Sequence, residues 1–297
     1  MPEVVVIGGG LAGLVCALRL QQDEVDVRLI EAGDGVGGRI RTDRVDGFQL
    51  DRGFQVLLDS YPEARRWLDF GDLELRSFEP GSLIFRQSRF FRLDDPFRRP
   101  SRIGQSLFSP LGRFSDKLRV ALLRARVTWP SLDTVLSRPE MTIIESLEKD
   151  GFSDEMIESF FRPFLRGIFL DADLQTSNRI FHWVFRMFSN GLGSLPAAGM
   201  QAIPDQLARK LGSEKVQLNT RVTGIESGRV LLEGGESIEA EYVVVATDPT
   251  AAARLLKQPD LTVYNGVTTL YYSVDGRPLA EPTLVLNGDG KGPINHM

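Results

Sequence analysis

The residues from 4 to 31 constrain the fold of this chain more than any other stretch. Val4 to Ile7 is a β-branched run typical of a short, buried parallel strand. It leads directly into glycines with the spacing G-x-G-x-x-G, after which Leu11 to Leu20 is predicted to form a helix. A second predicted strand, Val25 to Ile30, ends at Glu31. This order of strand, glycine turn, helix, strand and acidic residue predicts a Rossmann-like dinucleotide-binding domain.

Each residue of this motif has a separate physical task. Gly8 allows a tight turn, Gly10 leaves room for a pyrophosphate beside the backbone, and Gly13 allows the helix to pack closely on the strand. The N–H groups and the positive end of the helix dipole then face the diphosphate. Glu31 lies 18 residues after Gly13, where a carboxylate can accept hydrogen bonds from a ribose diol and disfavours a 2′-phosphate.

A second glycine cluster follows the acidic residue. The segment EAGDGVGGRIRT, from Glu31 to Thr42, resembles the E-x-x-x-x-x-G-G-R-x-x-T segment of flavin-dependent amine oxidases, phytoene-type carotene desaturases and protoporphyrinogen oxidases. The resemblance implies an α/β fold that binds FAD rather than NAD, with an arginine beside a phosphate. The FAD contacts that it implies lie at Gly8, Gly10, Leu11, Ala12, Gly13, Glu31, Ala32, Gly38, Arg39 and Val222.

Three later stretches extend this resemblance. Val222 stands where the family has a valine that contacts the adenine through its backbone. The predicted strand that ends at Ala246 and Thr247 resembles the one that closes the nucleotide domain near the pyrophosphate. Residues 51–55, DRGFQ, resemble a segment that passes beside the flavin ring in desaturase-like relatives, although a surface loop with a capping aspartate is an equal alternative.

Composition argues against several other classes of protein. The chain has 297 residues, 42% of them hydrophobic and 25% charged, which is typical of a globular protein of one or two domains. Its formal net charge of −5 offers no general attraction to nucleic acid. The single cysteine, Cys16, excludes an internal disulfide, and only His182 and His296 are available for a histidine metal site or a triad. We therefore predict no metal, and interpret His182 as structural.

The start of the chain carries no basic segment before its apolar run, and no run is long enough to span a bilayer. We expect no signal peptide and no membrane span. A chain without disulfides suits the cytoplasm.

The middle of the chain is predicted to contain a hairpin followed by helices. Gln87 and Ser88 separate two strand-like runs. Arginine and phenylalanine interleave from Arg86 to Arg102, which fits peripheral contact with a membrane or an apolar substrate site. We favour solvated arginines with the phenylalanines over the substrate domain, because acidic residues interrupt the basic run.

Two further features of the second half lead to definite expectations. Asp154 to Leu170 carries apolar residues at helical spacing, and Pro163 should kink this helix, break it or open a new one. Val267 to Val274 and Thr283 to Leu286 are predicted to be strands of a substrate-domain sheet.

The order of these segments predicts two domains. Residues 1–65 and 196–255 are expected to form a discontinuous FAD-binding domain, and residues 66–195 and 256–297 a substrate domain of mixed helices and strands. In the resembling family a further FAD-contacting segment follows, and we find no counterpart after Thr247. We therefore expect a fragment with an incomplete substrate domain, or a reduced relative that holds the flavin half less firmly.

Three functions are compatible with these features. The first is a non-covalent FAD oxidoreductase that takes a hydride from an apolar substrate, by amine oxidation or by C–C desaturation. The second is a truncated, catalytically inactive nucleotide-binding or chaperone-like protein. The third is an NAD-dependent dehydrogenase, against which the Gly37-Gly38-Arg39 cluster argues. No side chain has the context of a catalytic acid, base or nucleophile, so none is assigned.

Overall fold

Strands and helices follow one another along the chain in the manner of an α/β protein. The structure, a computed structural model, describes residues 2–95, 97–99 and 109–297. Its strands are Val4–Ile7 (β1), Val27–Ile30 (β2), Thr42–Val45 (β3), Phe48–Asp51 (β4), Leu57–Leu58 (β5), Arg76–Ser77 (β6), Gly81–Arg86 (β7), Arg89–Asp94 (β8), Gly193–Leu195 (β9), Val216–Gln217 (β10), Val222–Glu226 (β11), Arg229–Leu232 (β12), Ser237–Glu239 (β13), Tyr242–Val245 (β14) and Leu284–Asn287 (β15). Its α-helices are Leu11–Gln22 (α1), Pro62–Trp67 (α2), Phe114–Thr128 (α3), Leu132–Leu136 (α4), Ile143–Lys149 (α5), Asp154–Met156 (α6), Arg162–Phe169 (α7), Asn178–Asn190 (α8), Ala202–Leu211 (α9) and Pro249–Leu255 (α10).

A four-stranded parallel sheet with the order β10-β2-β1-β14 carries the glycine motif. The strands β1 and β2 run parallel and are joined through α1. Val4 of β1 lies opposite Val27 of β2 on one side and opposite Tyr242 of β14 on the other. This arrangement confirms the predicted Rossmann-like strand, turn, helix and strand.

The alternation of side chains along β1 explains why both faces of this sheet are covered. Val4 and Val6 point to one face, where they pack in a cluster with Leu207 of α9 and with residues of α1. Val5 points to the other face, where it packs in a cluster with Val230 of the antiparallel sheet β11-β12-β13. A parallel strand buried on both faces reads as a continuous apolar run, as β1 does.

A second sheet, β15-β7-β8, lies against the helices of the middle of the chain. The predicted hairpin is confirmed, with Gln87 and Ser88 both at positive φ in its turn. Strand β15 adds to β7 in parallel, so the strand predicted at residues 283–286 is present with a shift of one residue. Behind this sheet Phe161 and Phe181 are almost fully buried in the helical core.

The arginines of this hairpin region are not simply solvated, and that expectation is wrong. Arg92 donates to Asp94 at 2.8 Å and to Glu281 at 2.6 Å. Arg86 pairs with Glu155, and Arg99 pairs with Glu79. The fold brings Glu155 and Glu281 to these arginines across 69 and 189 positions of the chain, whereas Asp94 is local. Arg102, at the end of the predicted basic run, lies outside the described residues.

Pro163 opens a new helical segment, which is one of the three predicted outcomes. The helix beginning at Asp154 passes into a π-helical segment, Ile157–Phe161, and α7 follows directly. Pro163 stands in the first turn of α7, directly after Arg162, which donates its N–H to the Ile157 carbonyl of the π-helical segment.

The strand predicted from Val267 to Val274 is absent. Residues 256–283, all of which the structure describes, contain no helix or strand between α10 and β15. The side chains in this stretch are largely exposed, with 75% of Tyr272 accessible to solvent. A β-prone run becomes a strand only where a neighbouring strand takes up its backbone hydrogen bonds, and no described strand does so here.

Across residues 2–95, 97–99 and 109–297 there is no helix with the length and apolar character needed to cross a bilayer.

Candidate dinucleotide-binding site

Gly8 and Gly13 hold the end of β1 and the start of α1 in close contact. Gly8 has φ +110° and donates its N–H to the Ile30 carbonyl at 2.8 Å. A Cβ added to Gly13 would lie only 1.9 Å from the Gly8 carbonyl oxygen, so the helix could not approach the strand this closely with any other residue. This is the close helix–strand packing that the sequence predicts for Gly13.

Gly10 and Gly38 face open space instead. A Cβ at Gly10 would have no atom within 4 Å, and one at Gly38 would meet only the Gly10 Cα, at 3.5 Å. The two glycine turns lie side by side because Gly37 donates its N–H to the Gly9 carbonyl at 2.8 Å. The two turns therefore form one open, backbone-lined surface.

The start of α1 supplies hydrogen-bond donors to this surface. Gly10 occupies the N-cap position without a side-chain cap, and no acidic residue stands in the first turn. Leu14 donates back to Gly10 at 2.9 Å, so the N–H groups of the preceding residues, among them Leu11 and Ala12, have no partner within the helix. Unpaired N–H groups at a positive dipole end form a site for a diphosphate.

The Glu31 carboxylate lies at the end of β2, beside the first glycine turn. One of its oxygens accepts from Gly9 N–H at 2.6 Å, and the other accepts from Gly33 N–H at 2.7 Å. Each carboxylate oxygen can accept a further hydrogen bond, such as one from a ribose hydroxyl. Ala32, next in the chain, is exposed.

Arg39 and Arg41 lie in the same loop but in different electrostatic situations. Arg41 forms a two-pronged ion pair with Asp34, at 2.6 and 2.8 Å, and lowers the pKa of that carboxyl to about 2. The exposed Arg39 guanidinium has no ion pair or hydrogen bond among the described residues. Arg39 is therefore the cation of this loop that can take a phosphate.

Val222 reaches the same neighbourhood from a distant part of the chain. Asn219 and Thr220 donate their N–H groups to the carbonyls of Gly33 and Glu31, both at 2.9 Å, which extends the sheet beyond β10. The Val222 side chain is buried at 5% exposure. The predicted contact of its backbone with the adenine stays a prediction.

Gln201 supports the second glycine turn, a role that was not predicted from the sequence. Its side-chain amide donates to the Val36 carbonyl at 2.8 Å and to the Asp205 carboxylate at 2.9 Å. Its backbone N–H donates to the Thr42 hydroxyl at 3.0 Å, which fixes the far end of the same loop. The Gly-Met pair just before Gln201 was the available sequence signal.

A large apolar cavity lies beside this site but is lined by other residues. Its volume is about 570 Å³, and its walls come from the hairpin, α3, the π-helical segment, α7 and α8. Phe54 and Val56 line it, and the side chain of Gln55, between them, donates to the Arg39 carbonyl at 3.2 Å. The segment from 54 to 56 thus connects the cavity with the glycine site.

These features fit a dinucleotide at the glycine site. The cradle at Gly10 and Gly38 is open to a ligand, the helix start offers donors for a diphosphate, and Arg39 offers a cation. The structure brings together the predicted residues of both glycine turns, the acidic end of β2 and the Val222 strand.

Comparison with known proteins identifies the family. The family model of flavin containing amine oxidoreductases matches residues 11–288. Coproporphyrinogen III oxidase of Mycobacterium tuberculosis (strain ATCC 25618 / H37Rv) is 28% identical over 278 residues, which are 84% of this chain and 60% of that protein. The chloroplastic and chromoplastic 15-cis-phytoene desaturase of Arabidopsis thaliana is 27% identical over 286 residues, covering 86% and 50% of the two chains.

Solved structures show the same fold. Putrescine oxidase bound to putrescine superimposes with a TM-score of 0.63 at 21% identity, covering 86% of this chain and 60% of that one. The PF1083 protein of Pyrococcus furiosus gives a TM-score of 0.64 at 18% identity, covering 99% and 73%.

The chain spans about 60% of the length of the first curated relatives that it matches. The match of the family model covers most of the chain, and FAD is the cofactor that it indicates. The chain therefore belongs to the family of flavin containing amine oxidoreductases.

Proposed function

We propose that the protein is an FAD-dependent oxidoreductase that removes a hydride from an apolar small molecule, by amine oxidation or by C–C desaturation. One observation carries this proposal. The side-chain amide of Gln55 donates to the Arg39 carbonyl at the glycine site, and its neighbours Phe54 and Val56 line the apolar cavity. A substrate in the cavity would be next to the segment that adjoins the dinucleotide.

The residues of the cavity bind and shield rather than react. FAD, when bound, supplies a hydride acceptor. Phe160, Phe164 and Phe188 line the cavity with aromatic surface, which favours an apolar substrate and keeps water out. We assign no catalytic acid or base. The alternative, an inactive nucleotide-binding or chaperone-like protein, would retain the glycine site without turnover.

We also propose the division into domains that the sequence predicts. Strands β1, β2, β10 and β14 fall within residues 1–65 and 196–255, which we assign to FAD. Strands β7, β8 and β15 fall within residues 66–195 and 256–297, which we assign to the substrate domain.

The proposed function is tested by adding FAD to the purified protein and removing unbound FAD. We expect retained flavin absorbance, and reduction of that flavin by an apolar amine or a polyene under anaerobic conditions. A protein that binds FAD and is reduced by neither class of compound would support the inactive alternative. A protein that takes up no FAD would contradict the proposal.

Two single substitutions test the assigned FAD contacts. Arg39→Ala and Glu31→Ala should each weaken FAD binding about tenfold or more, because each removes a charge-assisted hydrogen bond to the ligand. Arg19→Ala is the matched control, since Arg19 pairs with Asp23 in the last turn of α1, at the far end from the site. Fluorescence titration with FAD measures the affinities. Unchanged affinity in both site variants would refute the assignment.

We further propose that α3 makes peripheral contact with a membrane from which an apolar substrate could enter. Phe114, Leu118, Leu122 and Trp129 form an exposed stripe at roughly helical spacing, with exposures of 61, 51, 66 and 86%. Leu118 also lines the cavity, so the stripe lies at one of its walls. An apolar helix face beside an apolar cavity is suited to a lipid surface.

A vesicle-binding experiment tests this contact. Leu122→Asp should lower partitioning onto phosphatidylcholine–phosphatidylglycerol vesicles about tenfold, because it removes one inserting side chain and adds a charge. Leu256→Asp is the control, because Leu256 has a similar exposure, 52%, and follows α10 in the proposed FAD domain. Co-sedimentation measures both variants. Equal losses, or no binding by the unsubstituted protein, would contradict the proposal.

A further inference from the structure

Ser82, near the start of β7, lines the apolar cavity and carries a buried hydroxyl. Its side chain is 4% exposed, and its Oγ has no hydrogen-bond partner among the described residues. Its backbone is fixed between two strands, opposite Leu93 of β8 and Leu284 of β15. Burial of an unpaired hydroxyl is unfavourable, so this group is prepared for a partner that enters the cavity.

Charged groups that line the cavity together with Ser82 have ion-pair partners of their own. Glu79 pairs with Arg99, and Asp95 accepts from Arg124 at 2.7 Å. A charged ligand would lose its hydration on entering this apolar cavity, whereas a neutral hydroxyl or carbonyl could bond to Ser82 without disturbing these ion pairs. The surroundings of Ser82 therefore select against charge.

We propose that Ser82 binds the neutral polar group, a hydroxyl or a carbonyl, of an otherwise apolar substrate. The inference rests on the proposed function in one respect, that this cavity is the substrate cavity. It adds a subsite and a substrate class: a mostly hydrocarbon molecule with one neutral hydrogen-bonding group, in preference to a hydrocarbon, a carboxylate or a cation of the same shape.

Probes with one shared ring system test the subsite. Naphthalene, 2-naphthol, 2-naphthoate and 2-naphthylmethylammonium are equilibrated by dialysis with the protein after addition of FAD. We expect 2-naphthol to bind about fivefold more tightly than naphthalene, which is the net effect of one hydrogen bond, and both charged probes to bind more weakly than 2-naphthol. Ser82→Ala should remove the preference for 2-naphthol and leave the affinity for naphthalene within about twofold.

Thr283→Val is the matched control. Thr283 immediately precedes β15, is 8% exposed and also has an Oγ1 without a partner among the described residues, but it does not line the cavity. Loss of its hydroxyl should leave the preference for 2-naphthol intact. Because Ser82 has no hydrogen bond to lose, Ser82→Ala should unfold at the same denaturant concentration as the unsubstituted protein or a higher one.

The results separate this inference from the proposed function. The subsite would be overturned if the preference for 2-naphthol persists in Ser82→Ala or disappears equally in Thr283→Val. It would also be overturned if a charged probe binds more tightly than 2-naphthol, or if none of the probes binds. A preference that depends on Ser82 in a protein that takes up no FAD would support the subsite and contradict the oxidoreductase. Uptake and reduction of FAD, without any effect of Ser82→Ala on probe binding, would support the oxidoreductase and contradict the subsite.

Discussion

Replacement of Gly13 by alanine is expected to destabilise the protein by about 3 kcal/mol, the larger part of it from overpacking. The added Cβ would lie 1.9 Å from the Gly8 carbonyl oxygen, which belongs to the backbone and cannot rotate away. Helix α1 must then move off β1, and the contacts of Leu14 with the sheet weaken. The higher helix propensity of alanine, about 1 kcal/mol, offsets only part of this cost. Denaturant unfolding of the FAD-free protein measures the change.

Gly10→Ala is the control that separates stability from ligand binding. Gly10 has an ordinary extended conformation, φ −71° and ψ 176°, and its added Cβ would contact nothing within 4 Å. Its stability should fall by about 1 kcal/mol or less, the cost of a poorer N-cap. Its affinity for FAD should nevertheless fall about tenfold or more, because the methyl group fills the space beside the pyrophosphate. Similar losses of stability in the two variants would contradict this division of roles.

The fold around the glycine motif could be predicted from the sequence because its signals are local. The run from Val4 to Glu31 contains a strand, a turn, a helix and a second strand whose spacing is set by the geometry of one crossover, and the structure reproduces it. The second glycine cluster, with Gly37 and Gly38, was recognised through the family resemblance, and the structure places it beside the first turn. The hydrogen bond from Gln201 to the Val36 carbonyl was not predicted, because it joins residues 165 positions apart.

The cavity and its polar wall could not be derived from the sequence. The cavity is lined by residues as far apart as Phe54 and His296, and no local pattern indicates that these segments meet. The pairing of Arg92 with Glu281 spans 189 positions, which is why the hairpin arginines were expected to be solvated. The prediction of a strand at Val267–Val274 was wrong for a related reason. The β-propensity of a run is a local property, whereas a strand forms only where a neighbouring strand pairs with it.

Acid is expected to destabilise the protein through His182, in the middle of α8. The ring is 4% exposed, and neither of its nitrogens has a hydrogen-bond partner among the described residues. Burial, and secondarily the positive charges of Arg126 and Arg138, lower the pKa of His182 from 6.5 to about 4, while Asp150 opposes them weakly. The folded protein thus keeps this histidine neutral where the unfolded chain has already taken up a proton.

The sign of the effect follows from proton linkage. Between pH 6.5 and about 4 the unfolded state binds more protons at this residue than the folded state, so the free energy of unfolding falls as the pH falls. The contribution is fully present above pH 6.5 and is lost by about pH 4, a total of about 3 kcal/mol.

His182→Leu removes this titration and is the variant that tests it. At pH 7 its stability should lie within about 1 kcal/mol of the unsubstituted protein, because the histidine makes no hydrogen bond that leucine would lose. At pH 4 the variant should be more stable by about 3 kcal/mol. Carboxyl groups and His296 titrate in both proteins, so their contributions cancel in the difference between the two unfolding free energies. A difference that stays constant from pH 7 to pH 4 would mean that His182 takes up its proton equally well in both states, and that its burial carries no cost in acid.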